Sequence, residues 1–287
     1  MNAFARSWAI TKLSLDVIRK DKELVMFPIL SGIFSLLLMA ALIIPALVFS
    51  AAAGIAGGDP AAHLMTYAVI FIIYLGLSII ATFFNVATVH TVKKRFEGGN
   101  ATFGESVNYA FSRMDLILAW SLLSATVGLI LNALDHVAEK LGTIGEIAMR
   151  IITSILGAAW SIMTIFVVPA MVYKGLGPID AIKSSVTTLR KTWGESLIRE
   201  FGTGFLAGML AILGAILWFV VIMFSTALGG TAVLTALCLA FTYFVALFVF
   251  FGLVNAVFNT ALYVYADTGK VPAFNEGVLN GAFRKRH

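Results

Sequence analysis

Six long apolar runs constrain this chain more than any other feature of its sequence. They cover roughly residues 27–53, 64–92, 116–134, 147–172, 201–228 and 231–265. Each approaches or exceeds the length of about 20 residues that an α-helix needs to cross about 30 Å of hydrocarbon. Charged residues make up only 12% of the chain, whereas soluble domains have about 25%. The sequence therefore predicts a single all-α, polytopic membrane domain over residues 1–287, and it excludes a soluble globular enzyme.

The distribution of lysine and arginine predicts the orientation of the six spans. Of the 20 basic residues, all but Lys140 and Arg150 lie before the first run, after the second, after the fourth or after the sixth. Cytoplasmic loops carry an excess of basic residues. We therefore expect three transmembrane hairpins with the N-terminus and the C-terminus both in the cytoplasm.

A basic amphipathic helix is predicted before the fifth span, over roughly residues 178–193. Its apolar residues recur at the spacing of one helical face, at Ile179, Ile182, Val186, Leu189 and Trp193. Basic residues occupy other positions of the same helix, which is typical of a helix lying where a membrane meets water. Similar interfacial helices are predicted over roughly residues 3–22, 101–114 and 271–284.

Three of these segments align with one another and indicate an internal repeat. They share a valine, at Val107, Val186 and Val278, and a glycine nine residues before it, at Gly98, Gly177 and Gly269. The repeating unit is an interfacial helix followed by a two-helix hairpin. The alternative is that any loop between membrane helices tends to be basic and amphipathic.

Anionic lipid headgroups are the expected partners of the basic segments, and nucleic acid is not expected. Basic side chains close to a membrane surface are attracted to anionic lipids. The candidate contacts are Arg19, Lys20, Lys93, Lys94, Arg95, Lys183, Arg190, Lys191, Arg284, Lys285 and Arg286.

No ionisable residue lies at the centre of any apolar run. This counts against ion-coupled transport, which usually depends on an intramembrane charge. The remaining polar residues form a candidate intramembrane patch, consisting of Thr82, Asn85, Asn255 and Asn259. Such residues either line a small cavity or headgroup site, or they hydrogen-bond between helices. We favour the second interpretation.

The sequence contains no catalytic motif, phosphate-binding loop or metal-ligand spacing. We therefore expect no cofactor, no bound metal and no enzymatic activity. His90 is interpreted as a surface residue, and Cys238 as a small buried apolar residue. Glu146 and Arg150 are four residues apart and are expected to form an ion pair at the outer membrane interface.

Two motifs resemble an uncharacterised family of prokaryotic six-helix membrane proteins. The first has Trp8 in an amphipathic helix, then R-K-D-K-E at 19–23 and F-P-I-L-S-G at 27–32. The second has Pro169 near a helix end, followed by A-I-K-S-S and K-T-W-G-E. The resemblance implies a membrane location and this architecture, but no reaction. More distantly, the chain resembles the membrane domain of bacterial glycerophosphodiester phosphodiesterases, whose catalytic barrel is missing here.

Together these patterns predict a multi-pass protein of a prokaryotic plasma membrane. The favoured function is a non-enzymatic component that interacts with lipids or with a membrane-protein partner, which includes a second copy of the chain. The alternative is a transporter or channel for a neutral or amphiphilic small molecule.

Overall fold

The computed structural model describes residues 17–18, 22–52, 60–97, 99–193 and 202–268, and these ranges contain helices and turns but no strand. Short 3-10 turns occupy Lys22–Val25 and Thr226–Leu228. The α-helices are α1 (Met26–Ala52), α2 (Pro60–Phe96), α3 (Phe103–Ser112), α4 (Met114–Ala138), α5 (Gly142–Thr164), α6 (Val167–Lys174), α7 (Pro178–Trp193), α8 (Gly202–Ser225) and α9 (Gly230–Thr268).

Six helical stretches are long and apolar enough to cross a membrane, which indicates a multi-pass membrane protein. They are Lys22–Pro45, Ala68–Phe96, Met114–Ala138, Gly142–Lys174, Ala207–Leu228 and Gly230–Ala261. Two of the four predicted interfacial segments, 101–114 and 178–193, coincide with α3 and α7. The segment 271–284 and almost all of 3–22 lie outside the described residues.

The fourth stretch is interrupted between α5 and α6, at Ile165 and Phe166. The break lies four residues before Pro169. A proline has no N–H to donate, and its ring clashes with the carbonyl of the residue four positions earlier, here Ile165. The sequence indicated a proline near the end of this span, but the span was predicted as one continuous helix. By contrast, the last helix continues without a break through Gly252.

Helices that follow one another along the chain pack together, α1 on α2, α4 on α5 and α8 on α9. The long helix α2 is central, since it also contacts α3, α4, α6 and α9. Between α8 and α9, the hydroxyl of Tyr243 donates a hydrogen bond of 3.0 Å to the carbonyl of Leu210. Gly214 provides the space for this ring, because a Cβ there would lie 2.3 Å from Tyr243 Cε1.

Most of the buried apolar residues lie at one end of the bundle, where α2, α6 and α9 finish and α1 and α4 begin. The main buried cluster joins Phe27 of α1, Phe96 of α2, Ile117 of α4, Val172 of α6 and Val264 of α9. A second cluster continues from it and includes Trp120, Phe166 and Tyr263. We call this end the basic end, because Lys93, Lys94, Arg95, Arg113 and Lys174 also lie there.

Away from the basic end, large apolar side chains point away from the bundle. Phe224, at the far end of α8, and Phe248, in the middle of α9, are 74% and 79% exposed. Cys238 is exposed as well. Its predicted burial was wrong, because α9 is covered there on only part of its circumference. The predicted pair of Glu146 and Arg150 is confirmed, with an N–O distance of 2.9 Å.

Candidate functional site

Three basic side chains at the basic end lie over tyrosine rings. Lys93 Nζ is 4.8 Å from the centroid of the Tyr173 ring. Lys174 Nζ is 5.7 Å from the Tyr263 centroid, and the Arg113 guanidinium carbon is 5.5 Å from the Tyr109 centroid. A cation over an aromatic face is attracted by the ring quadrupole. We call these six residues the cation–tyrosine cluster.

The tyrosines of this cluster connect four helices. Tyr109 of α3 donates its hydroxyl to the carbonyl of Val172 in α6, at 3.0 Å. The rings of Tyr173 in α6 and Tyr263 in α9 have centroids 5.7 Å apart. On its other side, Tyr109 stacks on His90 of α2 at 4.0 Å with an interplanar angle of 16°. The expectation of a surface histidine was wrong, because α3 folds back over the end of α2 and half-buries this ring.

Three buried polar atoms of this region have no hydrogen-bond partner among the described residues. They are His90 Nδ1 and the hydroxyl oxygens of Tyr173 and Tyr263. Tyr263 is only 1% exposed. A buried polar group left unpaired costs about 1–3 kcal/mol, so such groups are rare in native proteins and usually have a reason. Three more such atoms lie elsewhere among the described residues, in Ser121, Asn132 and Trp218.

The N-terminal motif holds helix α3 in place. The carboxylate of Glu23 accepts a hydrogen bond from the backbone N–H of Phe103, the first residue of α3. Thr102 and Glu105 complete a capping box at the same helix end. The ring of Phe27 also stacks on Phe103, with centroids 5.1 Å apart. Glu23 and Phe27 thus fix the position of α3, and the negative charge of Glu23 interacts favourably with the helix N-terminus.

Two buried serines attach α3 and α7 to the membrane helices that precede them. The hydroxyls of Ser106 in α3 and Thr91 in α2 are 2.7 Å apart. Ser185 of α7 accepts a hydrogen bond of 3.1 Å from the backbone N–H of Phe166. Both serines are 0% exposed. The second bond satisfies an N–H at the break between α5 and α6, which has no intrahelical partner there.

Helix α7 presents three different faces around its circumference. Ala181, Ser185 and Leu189 are buried against the bundle. Beside them, Ile182 and Val186 are half-buried and Ile179 is 57% exposed. The third face is exposed and polar, and it consists of Asp180, Lys183, Thr187 and Arg190. The predicted apolar face therefore packs on the bundle in part, through Leu189 and Ile182, while the small residues Ala181 and Ser185 beside it allow the closest approach.

The predicted polar patch is divided between two helices and is largely open. Thr82 is 5% exposed, whereas Asn85 and Asn255 are exposed and Asn259 is half-buried. No hydrogen bond links the side chain of any of the three asparagines to another described residue. Their side chains therefore do not hydrogen-bond the described helices to one another, and the role of the patch stays a prediction.

The described candidate lipid contacts are Lys93, Lys94, Arg95, Lys183 and Arg190, and all five lie at the basic end. Lys94 pairs with Glu97 at 4.0 Å, and Lys183 pairs with Asp180 at 3.1 Å. Exposed pairs of this kind contribute only about 0–1 kcal/mol each. Arg19, Lys20, Arg284, Lys285 and Arg286 lie outside the described residues, as does the side chain of Lys191.

Sequence reasoning missed His90, the three tyrosines, Arg113 and Lys174 as site residues. One available signal was the occurrence of Tyr173 directly before Lys174 at the end of a span, since tyrosine is enriched at membrane interfaces. The pairing of Tyr173 with Tyr263 had no such signal, because the two are far apart in the chain. Among the described residues, no group of three or more His, Cys, Asp or Glu side chains is placed to hold a metal ion.

Comparison with curated protein sequences finds no match. A model of the family DUF6159, described as a family of unknown function, matches residues 64–273. The matched region begins in α2 and extends beyond α9, so it contains five of the six candidate spans and every tyrosine of the cation–tyrosine cluster. The chain belongs to the DUF6159 family.

Proposed function

We propose that this protein is a non-enzymatic membrane component whose basic end binds anionic lipid headgroups at the cytoplasmic surface of a prokaryotic plasma membrane. In this proposal the six spans form three hairpins, and both termini are cytoplasmic. Helices α3 and α7 lie in the interface as copies of one repeated unit. Any likeness to the membrane domain of glycerophosphodiester phosphodiesterases concerns this architecture and not their activity.

The three faces of α7 are the observation that carries the proposal. The exposed flank with Ile179 is apolar, and it adjoins the exposed face with Lys183 and Arg190. A helix at a membrane surface needs both an apolar strip for the acyl chains and basic residues for the headgroups. Long basic side chains at the boundary can place their apolar stems in the lipid and their charges in the headgroup layer.

The equivalent positions of Ser106 and Ser185 support the proposed repeat. Each serine directly precedes the valine on which the segments align, and each is 0% exposed and hydrogen-bonded to the preceding membrane helix. Phe111 of α3 is 59% exposed, so this helix also has an apolar residue on its open side. In this proposal the repeat corresponds to a common way of attaching an interfacial helix to a span.

Spin labelling of the full-length protein in liposomes tests the position of α7. Single cysteines replace Ile179 or Thr187 in a Cys238→Ser background, and the label's collisions with oxygen and with a water-soluble nickel complex are measured. We expect the label at 179 to be accessible to oxygen in the lipid and the label at 187 to be accessible to nickel in water. Equal accessibility to the nickel complex at both positions would contradict the interfacial position.

Lipid binding is tested separately, by identifying the lipids that co-purify with the protein. The protein is reconstituted into an equimolar mixture of phosphatidylglycerol and phosphatidylcholine and extracted again in detergent. The lipids that remain bound to it are then quantified. We expect phosphatidylglycerol to be enriched, with enrichment falling as salt is raised, because surface electrostatics are screened. A shell with the composition of the starting mixture would refute the lipid-binding function.

The exposed asparagines favour a second candidate function, transport of a neutral or amphiphilic small molecule. Asn85 and Asn255 are exposed and have no described hydrogen-bond partner, which leaves both side-chain amides available to line a polar pathway. A polar residue on a lipid-facing surface would be costly without such a role. Cysteines substituted at these positions should then react with a membrane-impermeant maleimide in liposomes. Absence of labelling at both positions, with Lys183→Cys labelled as the control, would exclude an aqueous pathway there.

A further inference from the structure

An open groove runs along the exposed side of α5, in the half of this helix that lies away from the basic end. It has a volume of about 460 Å³ and is lined by Ile147, Arg150, Ile151, Ser154, Ile155 and Ala158. The three isoleucines are spaced by four residues, are 55–62% exposed and form one edge. Ser154 and Ala158 belong to the adjacent row, and their small side chains leave the floor of the groove open.

An ion pair stands at the end of the groove nearest the start of α5. Arg150 donates from Nε to Oε1 of Glu146 at 3.0 Å, and its Nη2 lies 2.9 Å from the same oxygen. The guanidinium has further N–H groups on Nη1, and Oε2 of Glu146 accepts no hydrogen bond from the described residues. The pair therefore presents donors and an acceptor side by side, and a ligand that carries both charges can bind without separating it.

The described charges around the start of α5 do not favour a purely anionic ligand. The acidic side chains there are Asp135, Glu139 and Glu146, and the basic ones are Lys140 and Arg150. His136 lies 3.4 Å from Glu139, and Asp135 accepts a hydrogen bond of 2.7 Å from Thr153 on the side that faces α4. With His136 neutral the acidic groups are in excess, and with it protonated the charges balance. This part of the protein thus differs from the basic end.

The residues of the groove follow the order in which a phospholipid presents its parts. Ser154 lies one turn beyond Arg150, about 6 Å further along the helix. Its exposed hydroxyl has no hydrogen-bond partner among the described residues. From Ile147 to Ala158 the groove extends about 17 Å, which is close to half of the hydrocarbon thickness of about 30 Å. The groove therefore matches one leaflet, with charges at its mouth, a hydroxyl below them and an apolar channel beyond.

We propose that this groove binds a zwitterionic phospholipid whose headgroup carries a primary ammonium, as in phosphatidylethanolamine. The phosphate accepts hydrogen bonds from Arg150, and the ammonium donates to Oε2 of Glu146. The hydroxyl of Ser154 donates to an ester carbonyl of the lipid, and one acyl chain lies over Ala158 beside the isoleucine edge. The site goes beyond the proposed function, because it lies on α5 away from the basic end and uses none of the basic end's residues.

The primary ammonium distinguishes this ligand from two other phospholipids. A choline headgroup carries the same charges but has no N–H to donate, so it leaves Oε2 of Glu146 unpaired. A glycerol headgroup has no positive charge, so its phosphate adds a negative charge beside the acidic side chains. Hydrogen bonds between charged partners are about twice as strong as neutral ones. The site is therefore expected to prefer phosphatidylethanolamine to phosphatidylcholine and to phosphatidylglycerol.

The test measures lipid binding by native mass spectrometry of the full-length protein in detergent, titrated with each of the three lipids. Ala158→Leu fills the floor of the groove. Ala159→Leu is the matched control, because it adds the same atoms at an exposed position of α5 that does not line the groove. We expect Ala158→Leu to lower the affinity for phosphatidylethanolamine at least about fivefold, and Ala159→Leu to change it by less than about twofold.

Glu146→Gln tests the recognition of the ammonium. The unmodified protein should prefer phosphatidylethanolamine to phosphatidylcholine by about fivefold, and the variant should bind the two lipids equally. Because this readout is a ratio measured on one variant, a loss of folded protein does not alter it. Equal losses for Ala158→Leu and Ala159→Leu would overturn the groove as the site. Equal binding of the two lipids by the unmodified protein, or a preference that persists in Glu146→Gln, would overturn the ligand.

Discussion

Substituting Ser185 by alanine tests the attachment of α7 to the helix break. The change removes the acceptor of the Phe166 N–H, a bond of 3.1 Å between residues that are 0% and 1% exposed. An unpaired buried donor costs about 1–3 kcal/mol. Hydrogen bonds between membrane helices have a lower mean of about 0.6 kcal/mol and a maximum of about 1.7. Ser185 is buried under protein, so we expect a loss of about 1–2 kcal/mol.

Thr187→Ala is the matched control on the same helix. The Thr187 hydroxyl is exposed and donates to the carbonyl of Lys183 in its own helix, at 2.7 Å. Both substitutions gain helix propensity, by at most about 0.7 kcal/mol, so their difference isolates the bond to Phe166. Stability is measured by reversible unfolding of the protein in mixed micelles with increasing denaturing detergent.

A double-mutant cycle with Pro169→Ala sharpens the test. Removing the proline allows α5 and α6 to join, so that the Phe166 N–H can bond to the carbonyl of Ile162 four residues earlier. The cost of Ser185→Ala should then fall by at least half. If the cost is the same in both backgrounds, or if Ser185→Ala does not differ from Thr187→Ala, the reasoning about the break is wrong.

Three further substitutions test other contacts by the same unfolding assay. Gly214→Ala should destabilise the protein by about 1–3 kcal/mol, because the new Cβ would overlap the ring of Tyr243. Gly208→Ala, on the same helix, is the control and should be neutral or stabilising, because nothing lies within 4 Å of its Cβ. Equal effects of the two substitutions would contradict the packing of α8 on α9. Gly175→Ala should cost about 1–2 kcal/mol, because Gly175 has a φ of +63°, and a neutral result would contradict the left-handed turn after α6. Glu23→Gln should destabilise by about 0.5–1 kcal/mol, an effect that should disappear at high salt if charge at the N-terminus of α3 is its cause.

The spans were predictable because their signal is local. A run such as 231–265 has to be helical and embedded in lipid whatever the rest of the chain does, because its backbone groups must be satisfied within the segment. Short helices at the basic end were also predictable, from the periodicity of 178–193 and from the alignment that relates this segment to 101–114. The exact bounds differed by a few residues, as in α2, which begins at Pro60 and ends at Phe96.

The candidate site was not predictable, because it depends on contacts between distant residues. Glu23 meets Phe103, and Tyr173 meets Tyr263, without any periodic pattern that relates them. Ser185 is buried although it is polar, because its hydroxyl accepts a hydrogen bond from the Phe166 N–H, which has no intrahelical partner at the break. Conversely, Asn85 and Asn255 looked suited to helix contacts, and yet both are exposed. A polar residue in an apolar run thus shows that its position is a candidate contact site, but the sequence does not show which residue it contacts.

The uneven distribution of buried residues has a mechanical consequence. Helices α1, α2, α4, α6 and α9 share the main cluster at the basic end, whereas α8 packs mainly on α9 and its Phe224 faces outward. Among the described residues, α8 contributes none to either buried cluster. Changes in the thickness or lateral pressure of the bilayer are therefore expected to displace α8 more easily than the helices that the main cluster joins.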